Sequence, residues 1–140
     1  NGKWFQGFPI LPWLAAKTTK IRFGMSITDT PYRSPALFAA ECATIDQLSG
    51  GRLNVGVGAG WNHVEYESLG TEYRNRARRF DEQIELLRQL WGAPVIDYTG
   101  RYHRVDRAGL LPLPQRQIPI WFGGGSDAAM ARAAAVGDGF

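Results

Sequence analysis

Three short β-type runs, each closed by a tip of small or glycine residues and each followed by a helical pattern, set the tightest limit on how this chain folds. The runs are residues 21–27 (Ile-Arg-Phe-Gly-Met-Ser-Ile), 52–58 (Arg-Leu-Asn-Val-Gly-Val-Gly) and 118–122 (Ile-Pro-Ile-Trp-Phe). The first alternates only in part, which suits a strand covered on both faces. Strands joined through a single helix form right-handed crossovers and lie parallel. The reading is therefore an α/β fold on a parallel sheet.

The segments between the runs support it. Ser34-Pro35 supplies a helix start, Phe38, Cys42, Ile45 and Leu48 an apolar stripe, and Gly50-Gly51 the stop. A longer helix is predicted from about Arg76 to Trp91, with Phe80, Ile84, Leu87 and Trp91 on one stripe and Arg79, Glu82, Glu85 and Arg88 largely off it. Gly92-Ala93-Pro94 ends that helix, and residues 95–106 read as a hairpin inside an insertion of about residues 93–117. After the third run, Gly123 to Ser126 turn into an Ala-rich helix over 127–136, and Asp138-Gly139-Phe140 look like the opening of a further strand.

Length then decides what kind of sheet this is. A closed eight-stranded α/β barrel takes about 250 residues, and the chain has 140. If the pattern is a barrel, residues 1–140 are a piece of it, a partial TIM (β/α)8 barrel within one domain. A net charge of +3 is too small to point to nucleic acid, and the lone Cys42 excludes a disulfide scaffold or a cysteine-built metal site. No apolar run reaches the roughly 18 residues of a membrane span, and Asn1 to Phe8 do not form a leader. The expectation is a cytoplasmic protein with no membrane, nucleic-acid or metal partner.

In a parallel sheet, ligands sit at the carboxyl ends of the strands, where strand-to-helix loops and helix N-termini gather. Three such tips are present: Ser26-Ile27-Thr28, Gly58-Ala59-Gly60 with Asn62, and Gly123-Gly124-Gly125-Ser126. Glycines there let a flat ring or a phosphate approach the backbone, and a helix start favours an anion. A tight turn with Ser126 as a plain N-cap explains the last tip equally well. Gly56-Val-Gly58-Ala-Gly60 imitates a dinucleotide fingerprint, but its third glycine comes one position early. His63, just past the second tip, is a candidate proton donor or substrate contact, against the alternative of a solvated loop histidine. Arg76 belongs to a basic cluster with Arg74, Arg78 and Arg79 at a helix start, a placement that an anionic ligand would relieve; a solvated, partly paired surface cluster is the alternative.

Several stretches together resemble one family. They are Thr19-Lys-Ile-Arg-Phe-Gly24, Pro31-Tyr-Arg-Ser-Pro35, Leu48-Ser-Gly-Gly-Arg-Leu53, Gly56-Val-Gly-Ala-Gly-Trp61 with Glu65 and Leu69-Gly70, Gly100-Arg-Tyr-His103, and Pro119-Ile-Trp-Phe-Gly-Gly124. In this order they resemble the luciferase-like monooxygenase superfamily, in particular its deazaflavin-dependent branch. The resemblance implies strands three, four and five and the start of six of an eight-stranded barrel that binds coenzyme F-420 or, alternatively, FMN. It implies a bulge at Ser26 and Ile27, often with a non-prolyl cis peptide, behind the cofactor ring. Gly58, Ala59, Gly60 and Asn62 would line the ring, and Gly123 to Ser126 would reach the phosphate side. It further implies hydride transfer between reduced F-420 and a small organic substrate, with FMN-dependent oxygen insertion or a non-catalytic flavin-binding barrel as alternatives, and a homo-oligomeric whole protein. Sugar-phosphate dehydrogenases of the superfamily carry a glutamate directly after the glycine loop. This chain has Trp61 there, which puts that particular activity in doubt.

Overall fold

The computed structural model describes residues 5–140. Residues 1–4, part of the stretch read above for a leader, lie outside the described residues. In chain order the elements are α1 (Gly7–Lys17), β1 (Phe23–Asp29), a 3-10 turn (Thr30–Tyr32), α2 (Pro35–Ser49), β2 (Leu53–Gly58), α3 (His63–Ser68), α4 (Arg76–Gly92), β3 (Ile96–Thr99), β4 (Arg104–Ala108), β5 (Ile120–Phe122) and α5 (Asp127–Val136). The main sheet has the order β1-β2-β5 and is parallel throughout. Beyond α5 the chain returns beside β5, with Trp121 and Gly139 in a parallel bridge and the Asp138 N–H donating to Ile120 O at 2.8 Å. This pairing lies where the sequence pattern at residues 138–140 predicts a strand-like run.

The core follows from the two helical stripes meeting the central strand. Leu53, Val55 and Val57 of β2 are buried under Phe38, Cys42 and Ile45 of α2 and Phe80, Ile84, Leu87 and Trp91 of α4. Two expected placements are corrected. Leu48 lies off the α2 stripe at 69% exposure, while Asp46 and Ser49 are buried; a 3.6-residue period carried on from Phe38, Cys42 and Ile45 arrives at position 49, not 48. Arg79 lies on the buried side of α4, where it donates to Asn75 Oδ1 at 2.7 Å and Glu72 O at 3.2 Å. β1 is also more open than a strand covered on both faces, with Gly24, Ser26 and Ile27 exposed, because only β2 flanks it among the described elements.

The insertion is an antiparallel hairpin of β3 and β4, forming a sheet of its own. Ile96 and Tyr98 tuck into the core. The tip is pinned from α4: Glu82 accepts the backbone N–H groups of Arg101 (2.9 Å), Tyr102 (2.9 Å) and His103 (2.7 Å). Burial lowers the pKa of His103 from 6.5, with Glu82 opposing the shift and Arg79 adding to it. The folded state thus prefers the neutral imidazole, and the unfolded chain takes up a proton first as pH falls. Stability is expected to decline as pH drops below about 6.5, and His103→Gln should flatten that decline in melting curves of the full-length protein.

Candidate functional site

The carboxyl end of β1 is irregular where the first tip was expected. Pairing with β2 runs from Phe23↔Leu53 to Met25↔Val55 and resumes at Thr28↔Val57, so β1 carries one extra residue, and the Ser26–Ile27 peptide is cis. A bulge of this kind re-aims a side chain. Here Ile27 is directed over glycines at the ends of the next two strands of the sheet: a methyl group at Gly58 would sit 2.2 Å from Ile27 Cδ1, and one at Gly123, just past β5, would sit 2.7 Å from Ile27 Cγ2. With Ile27 in this position, it occupies the space that side chains at Gly58 and Gly123 would fill.

The loop after β2 is held from outside by three side chains on one run of carbonyls. The Tyr66 hydroxyl donates to Ala59 O, Arg76 Nε to Gly60 O at 3.2 Å, and the Tyr73 hydroxyl to Trp61 O at 3.1 Å. Gly60 itself has φ +71°, a conformation that glycine adopts without strain. Arg76 also lies over the Tyr73 ring at 3.8 Å, so its guanidinium is engaged with loop and ring. Asn62 caps α3, accepting from Val64 N at 3.2 Å and donating to Glu65 Oε1 at 3.0 Å. His63 is exposed at the first turn of α3, with its ring 6.3 Å from that of Tyr73. Tyr66 and Tyr73 were not picked out from the sequence; the one available signal was their place beside the glycine loop.

The third tip runs from Phe122 into Gly123, whose N–H donates to Val57 O at 3.0 Å. Gly124 and Gly125 N–H have no partner among the described residues. Ser126 caps α5, accepting from Ala129 N at 3.2 Å. Arg132, one turn further on, donates to Asp81 of α4. Ile27, Gly58–Trp61 and Gly123–Ser126 all line one cavity of about 320 Å³, together with Asp29 and Arg132. Ile27, Gly123 and Gly124 also wall a second cavity of about 530 Å³, which Ser26 lines. Thr28 faces neither; it is buried, donates to Met25 Sδ at 3.6 Å and lines a third cavity of about 590 Å³ with Asp29, Tyr32 and Glu65. The structure therefore brings the backbones of all three tips together, while Asn62, His63 and Arg76 line none of the three cavities.

Polar chemistry at the rim is concentrated on one side. Glu65 accepts from the Tyr32 hydroxyl at 2.7 Å as well as from Asn62. Burial and then the Glu65 carboxylate raise the Asp29 pKa, and burial with the Glu65 hydrogen bond pushes the Tyr32 phenol well up. Tyr66 is raised to about 12, chiefly by burial, so it stays a neutral donor to Ala59 O. Among the described residues no group of three or more His, Cys, Asp or Glu is placed to hold a metal, and no helix is long and apolar enough to cross a membrane.

A parallel strand-helix sheet with its glycine tips gathered at one carboxyl-end cavity is the arrangement of a segment of an α/β barrel. The chain belongs to the luciferase-like monooxygenase family, which matches residues 1–140. It is 33% identical over 138 residues to an F-420-dependent glucose-6-phosphate dehydrogenase of Mycobacterium avium, covering 93% of this chain and 41% of that protein. It is 37% identical over 128 residues to an FMNH2-dependent dimethylsulfone monooxygenase of Pseudomonas fluorescens, covering 89% and 35%. A solved F-420-dependent secondary alcohol dehydrogenase in complex with an F-420–acetone adduct superposes with a TM-score of 0.88 at 27% identity, over 99% of this chain and 43% of that one. The chain spans less than half the length of these relatives.

Proposed function

We propose that the protein of which this segment is part is a cytoplasmic, homo-oligomeric oxidoreductase that binds a flavin-type cofactor at the rim and, in the narrower reading, moves a hydride between reduced coenzyme F-420 and a small organic substrate. The observation that carries this reading is the shared cavity of about 320 Å³ onto which all three strand tips open. Its walls fit a planar ring: Gly58 and Gly123 keep side chains out of the space that Ile27 fills, so the isoleucine alone rises behind the ring. Gly124 and Gly125 N–H and the start of α5 suit the anionic tail. Arg76, Tyr66 and Tyr73 then act on the loop, and Asn62 on the start of α3. Arg132 faces the cavity from α5. When bound, such a cofactor supplies the electrons, while the protein supplies orientation and exclusion of water.

A second reading, oxygen insertion with FMN, is favoured by the 37% identity to the dimethylsulfone monooxygenase. Titrating the full-length protein with F-420 and with FMN separates the two. The expected result is tight binding of F-420 and anaerobic oxidation of its reduced form by a carbonyl or enone acceptor. Preference for FMN with oxygen uptake overturns the narrower reading, and binding without turnover across the acceptor panel marks a non-catalytic flavin-binding protein.

A further inference from the structure

We infer that Asp29 is the acid that serves the substrate at this rim, a role that rests on the reading just given. A carbonyl carbon that accepts a hydride pushes its π electrons onto oxygen, and that oxygen must then take a proton. Among the described residues, the cavity holding the three tips is lined by glycine and alanine backbone, by Ile27, Trp61, Phe80 and Phe122, and by three side chains with exchangeable protons beside the indole: Asp29, Ser126 and Arg132. Ser126 is occupied in capping α5, and Arg132 is bound to Asp81. An alcohol and a guanidinium are also poor acids near neutral pH. Of this segment's residues at the cavity, that leaves Asp29 as the one suited to give up a proton.

Its geometry suits the task. Asp29 ends β1 in register with Gly58, and its carboxyl lies against the glycine loop: a methyl group at Gly58 would be 3.5 Å from Asp29 Oδ1, and one at Gly60 would be 3.3 Å from its Cγ. No hydrogen bond to this carboxyl is present among the described residues, in contrast to Glu65, both of whose oxygens are engaged. Asp29 is partly buried and lines the cavity of about 590 Å³ as well as that of about 320 Å³. It therefore faces the proposed ligand cavity on one side and a second open recess on the other, from which a spent carboxylate can recover its proton.

The charged and titratable groups around it are Glu65 and Tyr66 on α3, Tyr32 on the 3-10 turn, Arg33 across the larger recess, Arg76 on α4, and Arg132 on α5. Burial and the Glu65 carboxylate both favour the protonated form. In the step itself, the C–H bond forms on the substrate at the expense of reduced flavin or deazaflavin, which is thereby oxidised by two electrons. The carbonyl π bond opens, the Asp29 O–H bond breaks, and the proton passes to the new alkoxide.

The test uses the full-length protein and reduced cofactor with a carbonyl acceptor. Asp29→Asn is expected to lower kcat about 100-fold, to keep cofactor affinity within about threefold, and to abolish the loss of activity that the wild type shows as pH rises through the Asp29 pKa. A 13C NMR titration of the Asp29 carboxyl in the cofactor-loaded wild type reads the same group without turnover, and it applies even if the asparagine variant folds poorly. A carboxyl titrating above the usual aspartate range supports the inference; one titrating at or below it overturns the inference. Wild-type turnover with an equally active Asp29→Asn variant overturns this inference alone, whereas a wild type that turns over no acceptor overturns the functional reading and this inference with it.

Discussion

Gly56→Ala is expected to destabilise the full-length protein by about 3 kcal/mol, seen as a lower urea midpoint at unchanged slope. The added methyl would stand 1.9 Å from Met25 O, and a backbone carbonyl in the pairing between β1 and β2 has nowhere to retreat. Gly58→Ala makes the informative comparison, because its methyl would meet Ile27 Cδ1 at 2.2 Å, the free end of a side chain. Rotating Ile27 away relieves that contact at a loss of about 1 kcal/mol, but it removes the wall proposed to stand behind the cofactor ring. Cofactor affinity should then fall about tenfold, equivalent to about 1.4 kcal/mol. Equal stability losses in the two variants would contradict this division between backbone and side-chain contacts.

Arg52→Ala is expected to cost about 3 kcal/mol. The guanidinium donates to Ser49 O at 2.7 Å, Thr18 Oγ1 at 2.8 Å, Ile21 O at 3.1 Å, Ala15 O at 2.9 Å and Thr18 O at 3.0 Å. The four carbonyls among them end α1 and α2 and lead into β1, so one side chain satisfies acceptors that helix termini leave open. Arg52→Lys should recover under half of the loss, since a compact ammonium cannot reach five acceptors spread over a planar fork. Thermal melts of the three proteins check this, and a lysine variant as stable as the wild type would refute the role of the fork.

The parallel sheet and the hairpin were legible in the sequence because both rest on periodicity and punctuation. Phe80, Ile84, Leu87 and Trp91 are buried as their spacing requires, and Ser126 caps α5 at the position read for it. Leu48 shows the limit of reading a stripe by hydrophobicity alone: the helix buries Ser49 instead, on the phase set by Phe38. α1 gave little signal, since Gly7 opens it and Pro12 lies inside it. At the site, the convergence of the tips follows from the crossover rule, whereas the partners of the glycine loop do not. Tyr66 and Tyr73 reach its carbonyls from α3 and from the segment before α4, and such side-chain-to-loop bonds leave no repeat in a sequence. Arg76, whose place at a helix start leaves open an anionic ligand or a partly paired surface cluster, donates to Gly60 O and Tyr73 O, partners that its position in the sequence does not reveal.

Three consecutive carbonyls fastened from behind leave the stretch from Ala59 to Trp61 already set before anything arrives. Most of the entropy of ordering that stretch is lost when the chain folds, so an incoming molecule need not supply it again. Calorimetry on Tyr73→Phe should reveal the difference as a less favourable entropy of association with the heat of contact little altered, the mark of a surface that has begun to move.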